Sequence, residues 1–218
     1  MIIIAIDGPA AAGKGTLAKR LAAALNLPYL DTGLLYRATA KRVLEAGGDP
    51  ADAAAATAAA KALNEADMSR TDLRDAATSK AASQVASIPA VRAALLAYQR
   101  AYGNANGAVL DGRDIGTVIF PHADVKLFVT ASVEARAERR QAEFIAKGEY
   151  VPLAEVIADV AARDEADRTR AAAPLIPAED AILIDTTSMD ADEAFAHALE
   201  IVKEKATFFE KKVASKNF

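Results

Sequence analysis

Two hydrophobic rhythms alternate along the chain. Ile2-Ile3-Ile4-Ala5-Ile6 is an unbroken, mostly β-branched run with the length of a buried strand. Leu17, Leu21 and Leu25 then recur at helical spacing. Residues 27–30, 108–110, 125–129 and 181–185 read as four further short strands, separated by segments with helical periodicity. Helices are expected from Asp31 or Thr32 to Gly47-Gly48, over the alanine-rich 51–66, from Thr71-Asp72 to the break at Ser87-Ile88-Pro89, and from there to about Tyr102. Further helices follow the fourth strand up to Gly148, span 153–173 before Pro174, and close the chain from Met189 to about Lys203. Asp31 reads as a helix cap, and the Lys-rich tail beyond Lys203 as a helix that frays. Five strands alternating with helices predict an α/β fold of three layers around a parallel sheet. The pattern does not fix the strand order.

The sharpest break in these rhythms is Gly8-Pro9-Ala10-Ala11-Ala12-Gly13-Lys14-Gly15-Thr16, between the first strand and the first helix. Glycines let a backbone approach a ligand closely, and a new helix offers its N–H groups and positive end to an anion. Gly8-x-x-x-x-Gly13-Lys14 is the P-loop spacing, so Lys14 is the candidate cation at the outer phosphates of a nucleotide. The next residue is Gly15, not Ser or Thr, and the hydroxyl comes one place later at Thr16. That departure predicts a Mg²⁺ held mostly through water and nucleotide oxygens, with Thr16 on a phosphate.

Other polar clusters follow strand ends, where open α/β sheets bind ligands. Tyr36 and Arg37 follow the second strand, and Asp111-Gly112-Arg113-Asp114-Ile115-Gly116 follows the third. Such a density of charge beside an apolar run is costly unless the groups pair with each other or with a ligand. Arg136, Arg139 and Arg140 share one side of a helix, and Arg163, Asp167 and Arg170 share one stripe of the next. Taken alone, the second stripe reads as exposed ion pairing with Asp164 and Glu165, and Ser83 and Arg92 as surface residues.

Composition narrows the field. The 218 residues suit one domain with a subsidiary insert, helix-rich because alanine swells the hydrophobic share to 52%. A net charge of −4 argues against binding a nucleic-acid polymer or a basic membrane patch. With no cysteine there is neither a disulfide framework nor a thiolate metal site. The two histidines, His122 and His197, do not cluster with each other or with a serine. No basic leader precedes the first strand, and no apolar run approaches the roughly 18 residues of a membrane helix. The expectation is a cytoplasmic monomer acting on small molecules.

Together, the glycine loop, Asp31-Thr32-Gly33-x-x-Tyr36-Arg37, Ala82-Ser83-Gln84-Val85-Ala86 with Pro89-x-Val91-Arg92, Asp111-Gly112-Arg113-Asp114-Ile115-Gly116-Thr117 and Arg163-Asp164-x-x-Asp167-Arg168-x-Arg170 resemble the bacterial cytidylate kinases. The resemblance runs to about residue 202 and implies transfer of the ATP γ-phosphoryl to CMP or dCMP within the nucleoside monophosphate kinase fold. It implies an acceptor-binding insert at about 37–104 and a lid at about 136–155. Gly8, Pro9, Ala10, Ala11, Ala12, Gly13, Lys14, Gly15 and Thr16 would hold ATP, with Arg139 at the start of the lid. Thr32, Tyr36, Arg37, Ser83, Arg92, Arg113, Asp114, Arg163, Asp167 and Arg170 would line the CMP site. Ser83, Arg92 and Asp114 would read cytosine, Asp167 the ribose, and Arg37, Arg113, Arg163 and Arg170 would clamp phosphate. Lys14, Arg113, Arg163 and Arg170 would be the catalytic cations, with ATP and Mg²⁺ required. Residues 49–82 are shorter and more alanine-rich than the insert of many such kinases. The alternatives are another P-loop kinase, such as a uridylate or shikimate kinase, or a nucleotide-dependent switch.

Overall fold

The computed structural model describes the backbone of residues 1–214 and side chains to residue 205. Its strands are β1 (Ile3–Asp7), β2 (Tyr29–Asp31), β3 (Ala108–Gly112), β4 (Val125–Thr130) and β5 (Ile182–Asp185). All pair in parallel in the order β2-β3-β1-β4-β5, so β1 lies at the centre with neighbours on both sides. A central parallel strand has both faces covered, which explains its continuous apolar sequence. Ile4 and Ile6 pack on one face with Leu17 and Leu21 of α1 (Lys14–Leu25) and with Ala198 and Val202 of α9 (Ala191–Ala214). Ala5 packs on the other with Leu110, Ile115 and Ile119, against Leu96 and Tyr102 of α6 (Pro89–Asn106).

Between β2 and β3 the chain forms α2 (Thr32–Glu45), α3 (Ala53–Lys61), α4 (Glu65–Met68), α5 (Ala76–Ala86) and α6. Leu35, Tyr36, Val43, Val85, Val91 and Leu95 make this group a core of its own, with Ala56 and Ala60 of α3 supplying small surfaces for close approach. Between β4 and β5, α7 (Val133–Ala146) and α8 (Leu153–Thr169) pack through Ala137, Val156 and Val160.

Several local expectations need correction. The stretch 51–66 is two helices rather than one, because Asn64 and Asp67 form a capping box that starts α4 afresh. The helix expected from Thr71-Asp72 begins at Ala76, where Asp75 caps by accepting from Thr78 N at 2.7 Å. Asp31 occupies the N-cap position of α2 without capping it, since its carboxylate accepts from Arg74 at 2.6 Å. The helix expected to reach residue 173 stops at Thr169, and the chain folds back so that Leu175 N donates to Asp167 O at 2.8 Å. The final helix outruns its expected end at Lys203 and continues to Ala214, while the frayed end expected beyond it falls partly on residues 215–218, outside those described.

Asp7, the last residue of β1, ties the centre of the sheet to the segment after β3. Its buried carboxylate accepts from Ile115 N at 2.8 Å and Gly116 N at 2.7 Å, capping a single π-helical turn, Ile115–Ile119. Burial pushes the Asp7 carboxyl up from 3.8 to about 6, against the lowering effect of those two N–H donors. A carboxyl raised on folding gives stability that is present below the unfolded value and is lost as pH rises through the folded one. Wild type is therefore expected to lose stability relative to Asp7→Asn between pH 3.8 and about 6, as read by denaturant midpoints across that range. A midpoint difference that does not change with pH would refute this.

Candidate active site

The loop after β1 is shaped by backbone constraints. At Gly8 (φ 146°) an added Cβ would lie 1.9 Å from Val129 O, so no side chain fits there. Ala11 (φ 59°) and Gly13 (φ 85°) adopt left-handed conformations, and Gly13 stands at the N-cap of α1 without a side-chain cap. The first N–H groups of α1, from Lys14, Gly15 and Thr16, consequently have no intrahelical partner and are available to an anion. Lys14 is buried, with Nζ donating to Pro9 O at 2.8 Å across the loop. Burial and the nearby Arg113 push the Lys14 ammonium well below its ordinary value, a cost that a bound polyphosphate would reverse.

Gly15 has a specific neighbour. A Cβ there would meet Asp111 Oδ2 at 3.3 Å, so the carboxylate of β3 occupies the space beside the position where a usual P-loop carries its hydroxyl. Burial, then repulsion from Asp31, pushes the Asp111 carboxyl upward. Among the described residues no cluster of three or more acidic, histidine or cysteine side chains forms a metal cage. A lone carboxylate beside a phosphate cradle does suit Mg²⁺, a hard cation that keeps several waters and takes its other oxygens from nucleotide.

Facing the loop is a pocket of guanidinium groups. Arg113 Nε donates to Asp167 Oδ2 at 2.8 Å, and Arg170 Nη1 lies 3.7 Å from Asp167 Oδ1. Arg92 forms a short ion pair with Asp114, donates to Ala86 O at 3.2 Å, and stacks 5.3 Å over the Tyr36 ring. Arg37 reaches Ser79, and Thr32 Oγ1 donates to Asp111 O at 2.7 Å, locking the start of α2 to the end of β3. A cavity of about 220 Å³ opens beside the Arg92–Asp114 pair, between α6 and the turn at Ala172-Ala173. Arg92 thus faces Asp114, and Arg113, Arg163 and Arg170 gather around the single carboxylate of Asp167. Arg163 Nε and Arg170 Nη2 are buried without a hydrogen-bond partner. Burial, then the charge of Arg113, pushes Arg163 down to about 10. Unsatisfied buried donors and surplus positive charge together call for an anionic ligand.

The sequence-predicted residues therefore converge, with differences. Asp167 and Arg170 point inward to Arg113, so the reading of their stripe as exposed pairing within the helix is wrong: Asp164 pairs instead with Arg136, 28 residues away. Arg92 is no surface residue either, and Ser83 is half-buried on α5. Arg136, Arg139 and Arg140 do not share one target. Arg136 is buried, grips Asp164 with two nitrogens and donates to Ala10 O of the P-loop at 3.2 Å. Arg139 holds Thr186, whose hydroxyl is shared between Thr130 O at 3.1 Å and Ala12 O at 3.3 Å. Arg140 pairs with Glu143 over Phe144. Sequence reasoning missed Asp7 and the role of Arg136. A charge ending an apolar strand could have marked Asp7, whereas nothing local marks the Arg136–Asp164 pair.

A central parallel strand, a glycine loop and a helix N-terminus, with cations converging on the loop, define a P-loop nucleotide-binding protein of the α/β class. The sequence profile of the family described as cytidylate kinase matches residues 4–204. The chain is 64% identical over 201 residues to the cytidylate kinase of Acidiphilium cryptum, covering 92% of this chain and 95% of that one. It is 59% identical over 207 residues to that of Paramagnetospirillum magneticum, covering 93% and 98%. The chain belongs to the cytidylate kinase family. A crystal structure of an uncharacterised protein from Eubacterium ventriosum shares the fold at 15% identity, with a TM-score of 0.52 over 93% of this chain and 99% of that one.

Removing the Arg136 guanidinium would leave Asp164 half-buried and unpaired and free the Ala10 carbonyl. Arg136→Met is expected to destabilise the protein by about 3 kcal/mol in chemical denaturation and to raise the KM for ATP. An unaltered unfolding midpoint would rule out this bracing role.

Proposed function

We propose that this protein transfers the γ-phosphoryl of ATP to CMP or dCMP, giving ADP and CDP or dCDP. The observation that carries the reading is the surplus of buried guanidinium charge facing a P-loop, supported by membership of the cytidylate kinase family. Phosphoryl transfer asks for two nucleotides held in line and for cations around the moving charge, with little covalent work by the protein. In this reading residues 8–16 hold the ATP phosphates, and Lys14 follows the charge that develops on the β–γ bridge. Arg37, Arg113, Arg163 and Arg170 clamp the acceptor phosphate and the transferred group, while Asp167 releases part of its hold on Arg113 to meet the ribose. Asp111 would help hold a Mg²⁺ through water, and the metal would supply neutralisation of phosphate charge.

Base choice follows from Asp114. An ionised carboxylate only accepts, so it pairs with the amino group of cytosine and opposes the carbonyl that uracil has in its place. Arg92 fixes the carboxylate, and Ser83 and Tyr36 complete the pocket. We propose that residues 37–104 form the acceptor-binding insert and 136–155 the lid, whose closure excludes water before transfer. Arg139 would reach ATP by exchanging part of its hold on Thr186. Both substrates are small anions and the net charge is −4, which fits a cytoplasmic monomer with no polymeric partner.

A coupled assay of ATP with CMP, dCMP, UMP, AMP and shikimate tests the reading, and preference for an acceptor other than CMP or dCMP would overturn it. Lys14→Ala is expected to lower turnover by about two to three orders of magnitude. Asp114→Asn should narrow the preference for CMP over UMP, and retained selectivity would assign base reading to another residue.

A further inference from the structure

Arg37 differs from Arg92, Arg113 and Arg136 in what holds it, and shares with Arg163 the lack of an ion pair among the described residues. Arg92 pairs with Asp114, Arg113 with Asp167, and Arg136 with Asp164. The charge of Asp31 acts on Arg37, yet that carboxylate is taken by Arg74 at 2.6 Å. Arg37 Nη1 donates instead to two neutral oxygens, Ser79 Oγ at 2.5 Å and Leu73 O at 3.4 Å. Among the described residues Arg37 has no ion pair. Burial, then repulsion from Arg74, pushes it down to about 10, the direction expected of a cation short of negative charge.

We propose that Ser79 is a positioning residue for the acceptor phosphate, aiming the Arg37 guanidinium without neutralising it. The inference rests on the reading of Arg37 as a phosphate ligand. A carboxylate in the place of Ser79 would hold the side chain equally well, but its attraction would have to be given up whenever phosphate bound. A hydroxyl supplies direction and leaves the charge for the ligand. The hydroxyl is itself well anchored. Ser79 is buried in the first turn of α5, and that turn is pinned by Asp75, which accepts from Thr78 N and Thr78 Oγ1 and pairs with Lys41 at 3.2 Å. The residue sits one turn before Ser83, on the same side of α5. In the sequence Ser79 carries no signal of its own, since it lies ten residues before the proline that marks the helix break and outside the Ala82-to-Ala86 motif.

The test is a double-mutant cycle of Ser79→Ala and Arg37→Met, with KM for CMP, KM for ATP and kcat measured for each variant. Ser79→Ala is expected to raise the KM for CMP about tenfold, the scale of a hydrogen bond to a charged group, and to leave the KM for ATP within about twofold. Adding Ser79→Ala to Arg37→Met should change the KM for CMP by less than about twofold, because the partner is already gone. Additive effects would overturn the proposal, and so would an equal rise in both KM values or an unchanged KM for CMP in Ser79→Ala. If Arg37→Met itself leaves the KM for CMP unchanged, the assignment of Arg37 to the acceptor phosphate fails first.

Discussion

Positive charge taken out of water without an equal number of carboxylates is the constraint on which this structure turns. A guanidinium is tolerable in a protein interior when hydrogen bonds and an opposite charge replace its hydration. Here Asp114 and Asp167 each serve an arginine, and Arg163 and Arg170 still have buried donors without partners. The scaffold must therefore be stiff enough to hold like charges together until an anion arrives. Asp164 holds Arg136, Arg136 holds the P-loop carbonyl of Ala10, and Arg139 with Thr186 holds that of Ala12. The glycine loop is thus braced by α7 and by the residue that follows β5.

The parallel sheet makes this concentration of charge possible. Strands β1, β2 and β3 run in the same direction and end at the same edge, each finishing on or next to an aspartate: Asp7, Asp31 and Asp111. Each has a different task. Asp7 caps the π-helical turn, Asp31 receives Arg74 from the segment before α5, and Asp111 lies against Gly15. None makes an ion pair with Lys14, whose direction is fixed by Pro9 O.

Much of the fold was legible because strands and helices leave periodic signatures: all five strands fall where the apolar runs place them, and the glycine loop follows the first. The misplaced boundaries lie where a side chain overrode local propensity. Asn64 restarted a helix inside an alanine run, and the fold-back at Leu175 ended α8 four residues early. At the site, Arg92 with Asp114 and Arg113 with Asp167 come together from motifs far apart in the chain. What sequence concealed were pairings across long separations, Arg136 with Asp164 and Arg37 with Ser79, because nothing in a single chain records which of many surface-like polar residues turns inward.

The contact between Gly15 and Asp111 makes positions 96 residues apart share one volume. A hydroxyl side chain at 15 and a carboxylate at 111 compete for it, so each is acceptable only against the right partner. A side chain at 15 would press on the Asp111 carboxylate, so the effects of substitutions at the two positions should depend on each other.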